Sequence, residues 1–365
     1  MLDSVETTAG IALNTPSANP GTLLIRADAN SAIGTGHVMR CLALAQAWQD
    51  AGGKVAFVCT ELPPFLSQRL ETEGCIVSTI DSAPGTDRDL EETRRLADSI
   101  APKWLVLDGY AFGPDYQLTL RDVKWRLLFI DDDGRHENYH ADAILNQNAG
   151  AAAVLYGKRT HNSRLLLGCE YAMLGREFLR TPRRLATSET VSRILLTLGG
   201  ADSQNLTSQF LTVLWPCIPA DCEIHVLIGP ANPHVAAMQE LASTRNRMVL
   251  HVAPDNVPQI MADCDLAITA AGSSVYELGY LGVPMLLVVA AENQRPIATA
   301  LDHLGAAVRI DEFPSSRTAD LPSAFERMVS DAALRAQCAA KCRQLVDGQG
   351  AARVVAALRE TSGGR

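Results

Sequence analysis

The chain has 365 residues, a length that favours two domains over one. Hydrophobic residues make up 47% and charged residues 20%, as in soluble globular proteins, and no apolar run approaches the roughly 18 residues that a membrane span needs. The net charge of −9 argues against a broad nucleic-acid or acidic-lipid surface. We therefore expect a small-molecule partner, and neither a nucleic acid nor a membrane.

The cysteines and the N-terminal residues indicate where the protein works. Nine cysteines are scattered without a Cys-x-x-Cys pair, and Cys41, Cys59 and Cys264 fall in or beside predicted elements, as reduced core thiols do. Residues 1–20 are polar and acidic and lack the basic start and apolar core of a signal peptide. The sequence predicts a cytoplasmic protein with a disordered extension over 1–20.

From residue 22 onward, short β-rich runs alternate with amphipathic stretches, a pattern that predicts parallel sheets with crossover helices. The predicted strands of the first half are 23–27, 55–59, 76–80, 104–108, 127–130, 143–145 and 165–167, and its predicted helices are 37–49, 65–73 and 89–100. The predicted strands of the second half are 194–198, 224–228, 248–252, 266–269, 285–289 and 307–310. Its predicted helices are 203–214, 233–242, 257–262, 274–281, 295–304, 322–329, 332–345 and 351–360.

A shift to Arg, Thr and Ser around Pro182 marks a linker between the two alternating blocks. We assign residues 21–185 to a first Rossmann-like domain and residues 190–365 to a second. The predicted fold is α/β, with two Rossmann-like domains facing across a cleft, which is the glycosyltransferase-B (GT-B) type. Its ligand site lies in the groove between the domains. By analogy with this architecture, we expect the C-terminal helices from Ala332 to pack back across the first domain.

The first strand is followed by a glycine loop and a helix, with Gly34 and Gly36 just before His37. Such a turn lets a ligand approach the backbone, and the helix start directs free amides and positive dipole at it. The dipole disfavours a second positive charge, so His37 is expected to stay neutral and able to accept a proton. The alternative is a tight turn with a solvated histidine, because short glycine motifs recur without function.

Polar residues follow two later strands, beginning at Asp108 and at Asp131. Ligands of open α/β sheets bind beyond the carboxyl ends of strands, so these residues could share a crevice with His37. The alternative is that the carboxylates cap the next helix or turn. Asp28, at the end of the first strand, could likewise orient the imidazole of His37 or only cap its loop.

The second half repeats the strand–glycine–helix pattern around Gly200, which is a second candidate anion site or a plain turn capped by Asp202 or Ser203. A stronger pattern follows the strand at 266–269. There Ser273 and Ser274 begin a helix, and Glu277 lies one turn further along the same face. This spacing suits a nucleoside diphosphate, with phosphates at the helix start and the carboxylate on the ribose diol. A capping box between Ser274 and Glu277 would need no ligand.

Several of these segments together resemble a known family, the UDP-2,4-diacetamido-2,4,6-trideoxy-β-L-altropyranose hydrolases of pseudaminic acid biosynthesis. The resemblance runs from about residue 23 to residue 304. The segments that carry it are RAD at 26–28, IGTGHVMRC at 33–41, LDGY at 107–110, IDD at 130–132, LNQN at 145–148, GGAD at 199–202, AGSSVYELGYLGVP at 271–284 and AENQ at 291–294. That family is related to the lipid-linked N-acetylglucosaminyltransferase of peptidoglycan synthesis but uses water as the acceptor.

The resemblance implies that His37 is the general base for water attacking the anomeric carbon, with inversion and C–O cleavage that releases UDP. Gly34 and Gly36 then serve close approach of the substrate. The residues assigned to substrate binding are Gly34, Gly36, Arg26, Asp28, Tyr110, Asn293 and Gln294. The residues assigned to UDP binding are Gly200, Ser273, Ser274 and Glu277. The expected partner is a UDP-sugar, and no cofactor or metal is expected.

The chain departs from the family's pattern at two places. The family commonly has Leu-Arg-Pro-Glu-Phe where this chain has LGREF at 174–178, so Arg176 is displaced by one position. Gly109 stands where a larger polar residue is usual, which would loosen the pocket around Tyr110. Two alternative functions stay open: a glycosyltransferase of the same fold, and a non-catalytic nucleotide-sugar binding protein.

Overall fold

A computed structural model of the protein describes residues 19–30, 32–160, 162–200, 202–230, 232–310 and 320–361. Residues 1–18, most of the predicted N-terminal extension, lie outside the described residues. The described chain folds into two parallel sheets flanked by helices, which confirms the predicted pair of Rossmann-like α/β units.

The first sheet has seven parallel strands in the order β3-β2-β1-β4-β5-β6-β7. Its strands are β1 (Thr22–Ala27), β2 (Lys54–Cys59), β3 (Ile76–Thr79), β4 (Trp104–Asp108), β5 (Arg126–Ile130), β6 (Ala143–Asn146) and β7 (Arg164–Leu167). The central strands are continuous apolar runs because helices cover both faces of the sheet. The strand order reverses at β1, which pairs with β2 on one side and β4 on the other.

The second sheet has six parallel strands in the order β10-β9-β8-β11-β12-β13. Its strands are β8 (Arg193–Thr197), β9 (Glu223–Ile228), β10 (Met248–Val252), β11 (Leu266–Ala270), β12 (Met285–Val288) and β13 (Val308–Ile310). The order reverses at β8, between β9 and β11. Both sheets therefore have a switch point beside their first strand, where ligands of such sheets bind.

The helices follow the predicted positions with three differences. The helices are α1 (Gly36–Asp50), α2 (Pro64–Thr72), α3 (Asp87–Ile100), α4 (Pro114–Leu120), α5 (Arg176–Arg180), α6 (Leu206–Leu214), α7 (Val235–Thr244), α8 (Val257–Ala262), α9 (Ser274–Leu281), α10 (Arg295–His303), α11 (Asp320–Ser330), α12 (Ala332–Leu345) and α13 (Gly350–Thr361). The sequence analysis did not predict α4, which begins at a proline, or the short helix α5. Helix α6 begins at Leu206 and not at 203, because Asp202 and Asn205 adopt positive φ.

The last helix leaves the second domain and packs on the first. Val354 and Leu358 of α13 are fully buried in the core built around α1 and β1. Arg164 of β7 donates a hydrogen bond to the Ala357 carbonyl at 3.0 Å. Helix α12 instead packs against α9, in the second domain. The crossing therefore occurs after α12. Residues 350–361, which the boundary of 190–365 assigned to the second domain, belong spatially to the first.

Candidate active site

The carboxyl ends of the two sheets border one cleft of about 300 Å³. Predicted site residues from both domains line it: Gly34, Gly36, His37, Tyr110, Gly200, Ser273, Ser274, Asn293 and Gln294. A Cβ atom on Gly36 would lie 3.9 Å from Ser273 Oγ. The glycine loop before α1 and the start of α9 are therefore close neighbours across the cleft.

His37 stands in the first turn of α1, and its ring is held from behind by a carboxylate. Its Nδ1 lies 2.6 Å from Oδ1 of Asp108, the fully buried last residue of β4. A carboxylate can only accept a hydrogen bond, so the proton of the neutral imidazole resides on Nδ1. The unprotonated Nε2 is then free to accept a proton, as in the histidine–aspartate pairs of hydrolases.

Arg40 lies one helical turn after His37 and binds the same carboxylate. Its Nε is 2.7 Å from Asp108 Oδ2 and its Nη2 is 2.6 Å from Oδ1. Nη2 also lies 3.1 Å from His37 Nδ1, but both nitrogens are donors, so each points its proton at Asp108. Burial alone would raise the pKa of Asp108, but the charge of Arg40 and the hydrogen bonds from Arg40 and His37 hold it well below its usual value. Asp108 therefore stays ionised and fixes the imidazole.

The same arginine extends the network to the next strand. Its Nη1 lies 2.6 Å from Oδ1 of Asp132, which follows β5. Burial would raise the pKa of Asp132, and the Arg40 charge outweighs it, so the pKa lies below the usual value. Asp131 is not part of this network, because it accepts hydrogen bonds from the hydroxyls of Tyr156 at 2.8 Å and Tyr139 at 3.3 Å. Of Asp131 and Asp132, only Asp132 lines the main cleft with His37.

Tyr110 connects the two domains directly above His37. Its ring stands edge-on to the imidazole, with ring centroids 5.0 Å apart. Its hydroxyl donates to Asp132 Oδ2 at 3.3 Å and accepts from Asn293 Nδ2 of the second domain at 3.1 Å. Burial, with the charge of Asp132, raises the pKa of Tyr110 to about 12, so the phenol stays protonated. The predicted pair Tyr110 and Asn293 therefore meets at the cleft.

On the other wall, small residues leave the start of α9 open. Ser273 is exposed and Ser274 is partly buried at the first residues of the helix, where backbone amides lack helical partners. Gly200 lines the cleft beside them. Asp202 accepts from the amides of Leu206 and Thr207 at 2.8 and 2.9 Å, so it caps α6 as one alternative held. The start of α9 is therefore the candidate anion site on this wall, and phosphate binding there stays a prediction.

Glu277 lies one turn inside α9 and is not among the residues that line the cleft. Burial raises the pKa of its carboxyl to about 7, with a further contribution from the charge of Glu177 and a partial offset by the hydroxyl of Ser274. Its contact with a ribose diol stays a prediction.

Two residues assigned to substrate binding lie outside the cleft, and that assignment is corrected. Arg26 is fully buried, with its Nε 2.9 Å from Asp89 Oδ1 and its Nη1 2.7 Å from Asp28 Oδ2. Asp28 accepts hydrogen bonds from the amides of Thr60 and Glu61 at 2.7 and 3.1 Å. The pair therefore ties β1 to the end of β2. Asp28 caps a loop and does not orient His37, a role that Asp108 fills.

The two departures from the family's pattern have separate structural settings. Arg176 pairs with Asp50 at 2.7 Å and Glu73 at 3.2 Å, so it fastens α5 to the end of α1. A Cβ atom on Gly109 would lie 3.0 Å from Phe112 Cε2. Phe112 thus occupies the space that a side chain at position 109 would enter.

Three residues to which the sequence analysis assigned no role complete the site: Arg40, Asn148 and Tyr276. Arg40 could have been found from its spacing, because a residue three positions after His37 shares its helix face. The other two come from distant segments, and only the folded chain brings them together. Among the described residues, no group of three or more His, Cys, Asp or Glu side chains is arranged to hold a metal ion. No helix in the described part of the chain is long and apolar enough to span a membrane.

Residues 193–348 match the family described as Glycosyltransferase family 28 C-terminal domain. The chain is 26% identical over 288 residues to the UDP-2,4-diacetamido-2,4,6-trideoxy-beta-L-altropyranose hydrolase of Campylobacter jejuni, covering 78% of this chain and 97% of that protein. It is 24% identical over 281 residues to an uncharacterized protein of Methanocaldococcus jannaschii, covering 75% of this chain. The alignment spans 56% of the length of that second relative.

The fold is shared with solved structures. The crystal structure of Acinetobacter baumannii MurG matches with a TM-score of 0.60 and 18% identity, over 93% of this chain and 99% of that one. The two parallel-sheet domains and this match identify the fold as GT-B, as the sequence predicted.

Proposed function

We propose that this protein hydrolyses a UDP-linked 2,4-diacetamido-2,4,6-trideoxy sugar to the free sugar and UDP, as a step of pseudaminic acid biosynthesis. The observation that carries the proposal is the position of His37. Its Nδ1 is fixed by Asp108 at 2.6 Å, and it shares a cleft with the open start of α9. The named Campylobacter relative, which this chain covers almost entirely, supports the substrate class.

In the proposed reaction, a water oxygen attacks the anomeric carbon while His37 Nε2 takes one of its protons. The bond between that carbon and the glycosidic oxygen breaks, and its electron pair passes to the β-phosphate of UDP. The amides and hydroxyls at Ser273 and Ser274 stabilise the charge that develops there. Attack on the face opposite the leaving group inverts the anomeric configuration. Asp108 remains ionised and stabilises the imidazolium that forms.

The test is UDP release from a panel of UDP-linked diacetamido sugars in water enriched in ¹⁸O. We expect rapid release without any added acceptor, with the label at the anomeric carbon of the sugar. His37→Asn should reduce kcat by at least about 100-fold, the contribution of a positioned general base, while UDP binding persists. Label in the phosphate of UDP would instead indicate attack at phosphorus and would overturn the role given to His37.

A glycosyltransferase is the second candidate, favoured by the match of residues 193–348 to a glycosyltransferase family domain. It predicts little UDP release from the sugar nucleotide alone and a large increase with an acceptor. A non-catalytic binding protein would bind UDP and release none from any sugar nucleotide. If Glu277→Ala abolished UDP binding while His37→Asn left turnover unchanged, Glu277 would belong to the nucleotide site, but His37 would not be the general base.

A further inference from the structure

Helix α9 carries a buried tyrosine that reaches into the first domain. Tyr276 is the third residue of the helix and is 2% exposed. Its hydroxyl accepts a hydrogen bond from the Ala149 amide at 3.1 Å and donates one to Asn148 Oδ1 at 3.2 Å. Burial raises the pKa of this phenol well above its ordinary value, so the donor keeps its proton. A buried hydroxyl with both roles filled is a fixed contact between the two domains.

From Asn148, a chain of hydrogen bonds continues to Arg40, which lies behind the imidazole of His37. Asn148 Nδ2 donates to the backbone oxygen and to Oδ1 of Asp132, both at 3.1 Å. The same Oδ1 atom accepts from Arg40 at 2.6 Å. The guanidinium is planar and rigid, so a carboxylate that fixes one edge also fixes the edge that binds Asp108. Orientation is thereby passed from Asn148 to the carboxylate that holds His37.

We propose that Tyr276 is a positioning residue for His37. It fastens the helix that begins at Ser273 and Ser274 to the hydrogen-bond chain that orients the imidazole, so its hydroxyl links the two halves of the site. What the aligned base then does rests on the proposed function. The alignment itself does not, because it follows from the contacts among the side chains.

The test compares Tyr276→Phe with Tyr280→Phe. Tyr280 lies one turn later on α9 and its hydroxyl contacts the Leu179 carbonyl at 3.4 Å, outside the chain that leads to His37. Nitrogen-15 NMR of the histidine rings, with His37 assigned from its loss in His37→Asn, reports the tautomer and the Nδ1 hydrogen bond without turnover. Tyr276→Phe should shift the His37 signals and Tyr280→Phe should leave them unchanged.

In the UDP-release assay, Tyr276→Phe should lower kcat about 3- to 10-fold, the effect of losing the neutral hydrogen bond to Asn148 that leads to His37, with KM changed less than about twofold. Asp132→Ala removes the carboxylate that follows Asn148 in the chain. If Tyr276 acts through it, adding Tyr276→Phe to Asp132→Ala should cost little more, whereas a general loss of packing would be additive. Additive effects, or His37 signals equal in both tyrosine variants, would overturn the proposal.

Two results separate this inference from the proposed function. His37 signals that respond only to Tyr276→Phe, in a protein that releases no UDP, would support the alignment and refute the hydrolysis. Rapid UDP release with unresponsive signals would do the opposite. Should Tyr276→Phe fail to fold, Asn148→Ala removes the next group in the chain and must produce the same shift of the His37 signals.

Discussion

Replacing Asp108 by asparagine tests the assignment of the base most directly, because the change keeps the shape of the side chain and removes its charge. Asp108 accepts one hydrogen bond from His37 at 2.6 Å and two from Arg40 at 2.6 and 2.7 Å. Charge-assisted bonds of this kind are each worth about 1.5–3 kcal/mol. An asparagine amide can also donate to Nδ1 and so favour the tautomer whose proton faces the cleft.

We expect Asp108→Asn to lower kcat about 10²- to 10⁴-fold, which corresponds to roughly 3–5.5 kcal/mol in activation free energy. KM should change little, because Asp108 is buried behind the ring and does not line the cleft. The assay is steady-state UDP release, with a thermal melt to show that the variant is folded.

The matched control is Asp131→Asn. Asp131 follows the strand next to β4, but it binds Tyr139 and Tyr156 and makes no contact with His37. Burial raises the pKa of its carboxyl, and the asparagine keeps an amide oxygen that can accept from the two tyrosine hydroxyls. Its kcat should stay within about threefold of the wild type, the range of one weakened hydrogen bond. Equal losses in the two variants would refute the reasoning, since the effect would then follow from any lost carboxylate at this edge of the sheet.

Three further predictions concern the cleft, the pH dependence and the domain crossing. Gly36→Ala should fold normally but raise KM for the UDP-sugar, because its Cβ meets no atom nearer than 3.9 Å yet enters the space between the loops; an unchanged KM would contradict close substrate approach. The pKa of the Glu277 carboxyl is raised from 4.5 to about 7, so the folded protein binds the carboxyl proton more tightly than the unfolded chain does. The resulting contribution to the free energy of unfolding is fully present below about pH 4.5 and is lost as the pH rises through 7. Urea midpoints of wild type and Glu277→Gln should therefore diverge between about pH 5 and 8, and parallel curves would refute this. Leu358→Ala should reduce the free energy of unfolding, measured in urea, by about 2–5 kcal/mol, because Leu358 is fully buried. Leu185→Ala, at an exposed position, should leave it unchanged. Equal effects of the two substitutions would mean that α13 is not held by its packing on α1.

Much of the fold could be predicted because apolar runs and amphipathic stretches are local signals. Helices α4 and α5 were not predicted because both are short, and α4 begins with a proline, a residue that is also common in turns. The start of α6 was predicted three residues early, because the positive φ of Asp202 and Asn205 delays the start of the helix. The local sequence does not indicate this backbone conformation. The return of the chain to the first domain at α13 depends on packing against α1, which no local pattern records.

The parts of the site that come from one continuous segment could be predicted from the sequence. The contacts between side chains of distant segments could not. The glycine loop, His37 and the serines of α9 each belong to a strand–loop–helix unit, and the structure places them around one cleft. Whether Asp28 or Asp108 binds His37 depends on the direction in which each carboxylate points at the ends of the adjacent strands β1 and β4. Asp28 is drawn away by the loop amides after β2, which the sequence does not reveal.

The hydrogen bond between Tyr110 and Asn293 bears on whether water or a larger acceptor reaches the base. The imidazole is 7% exposed, and the Tyr110 ring stands against it with its hydroxyl bonded across the cleft at 3.1 Å. A bulky acceptor approaching from that side must break this bond, at a cost of about 1 kcal/mol, or roughly fivefold in rate. So small a barrier favours water without excluding other acceptors, and the shape of the bound sugar must supply the rest of the selectivity. Measuring the competition between water and added acceptors therefore distinguishes a hydrolase from a transferase of this fold more sharply than any structural feature of the two sheets does.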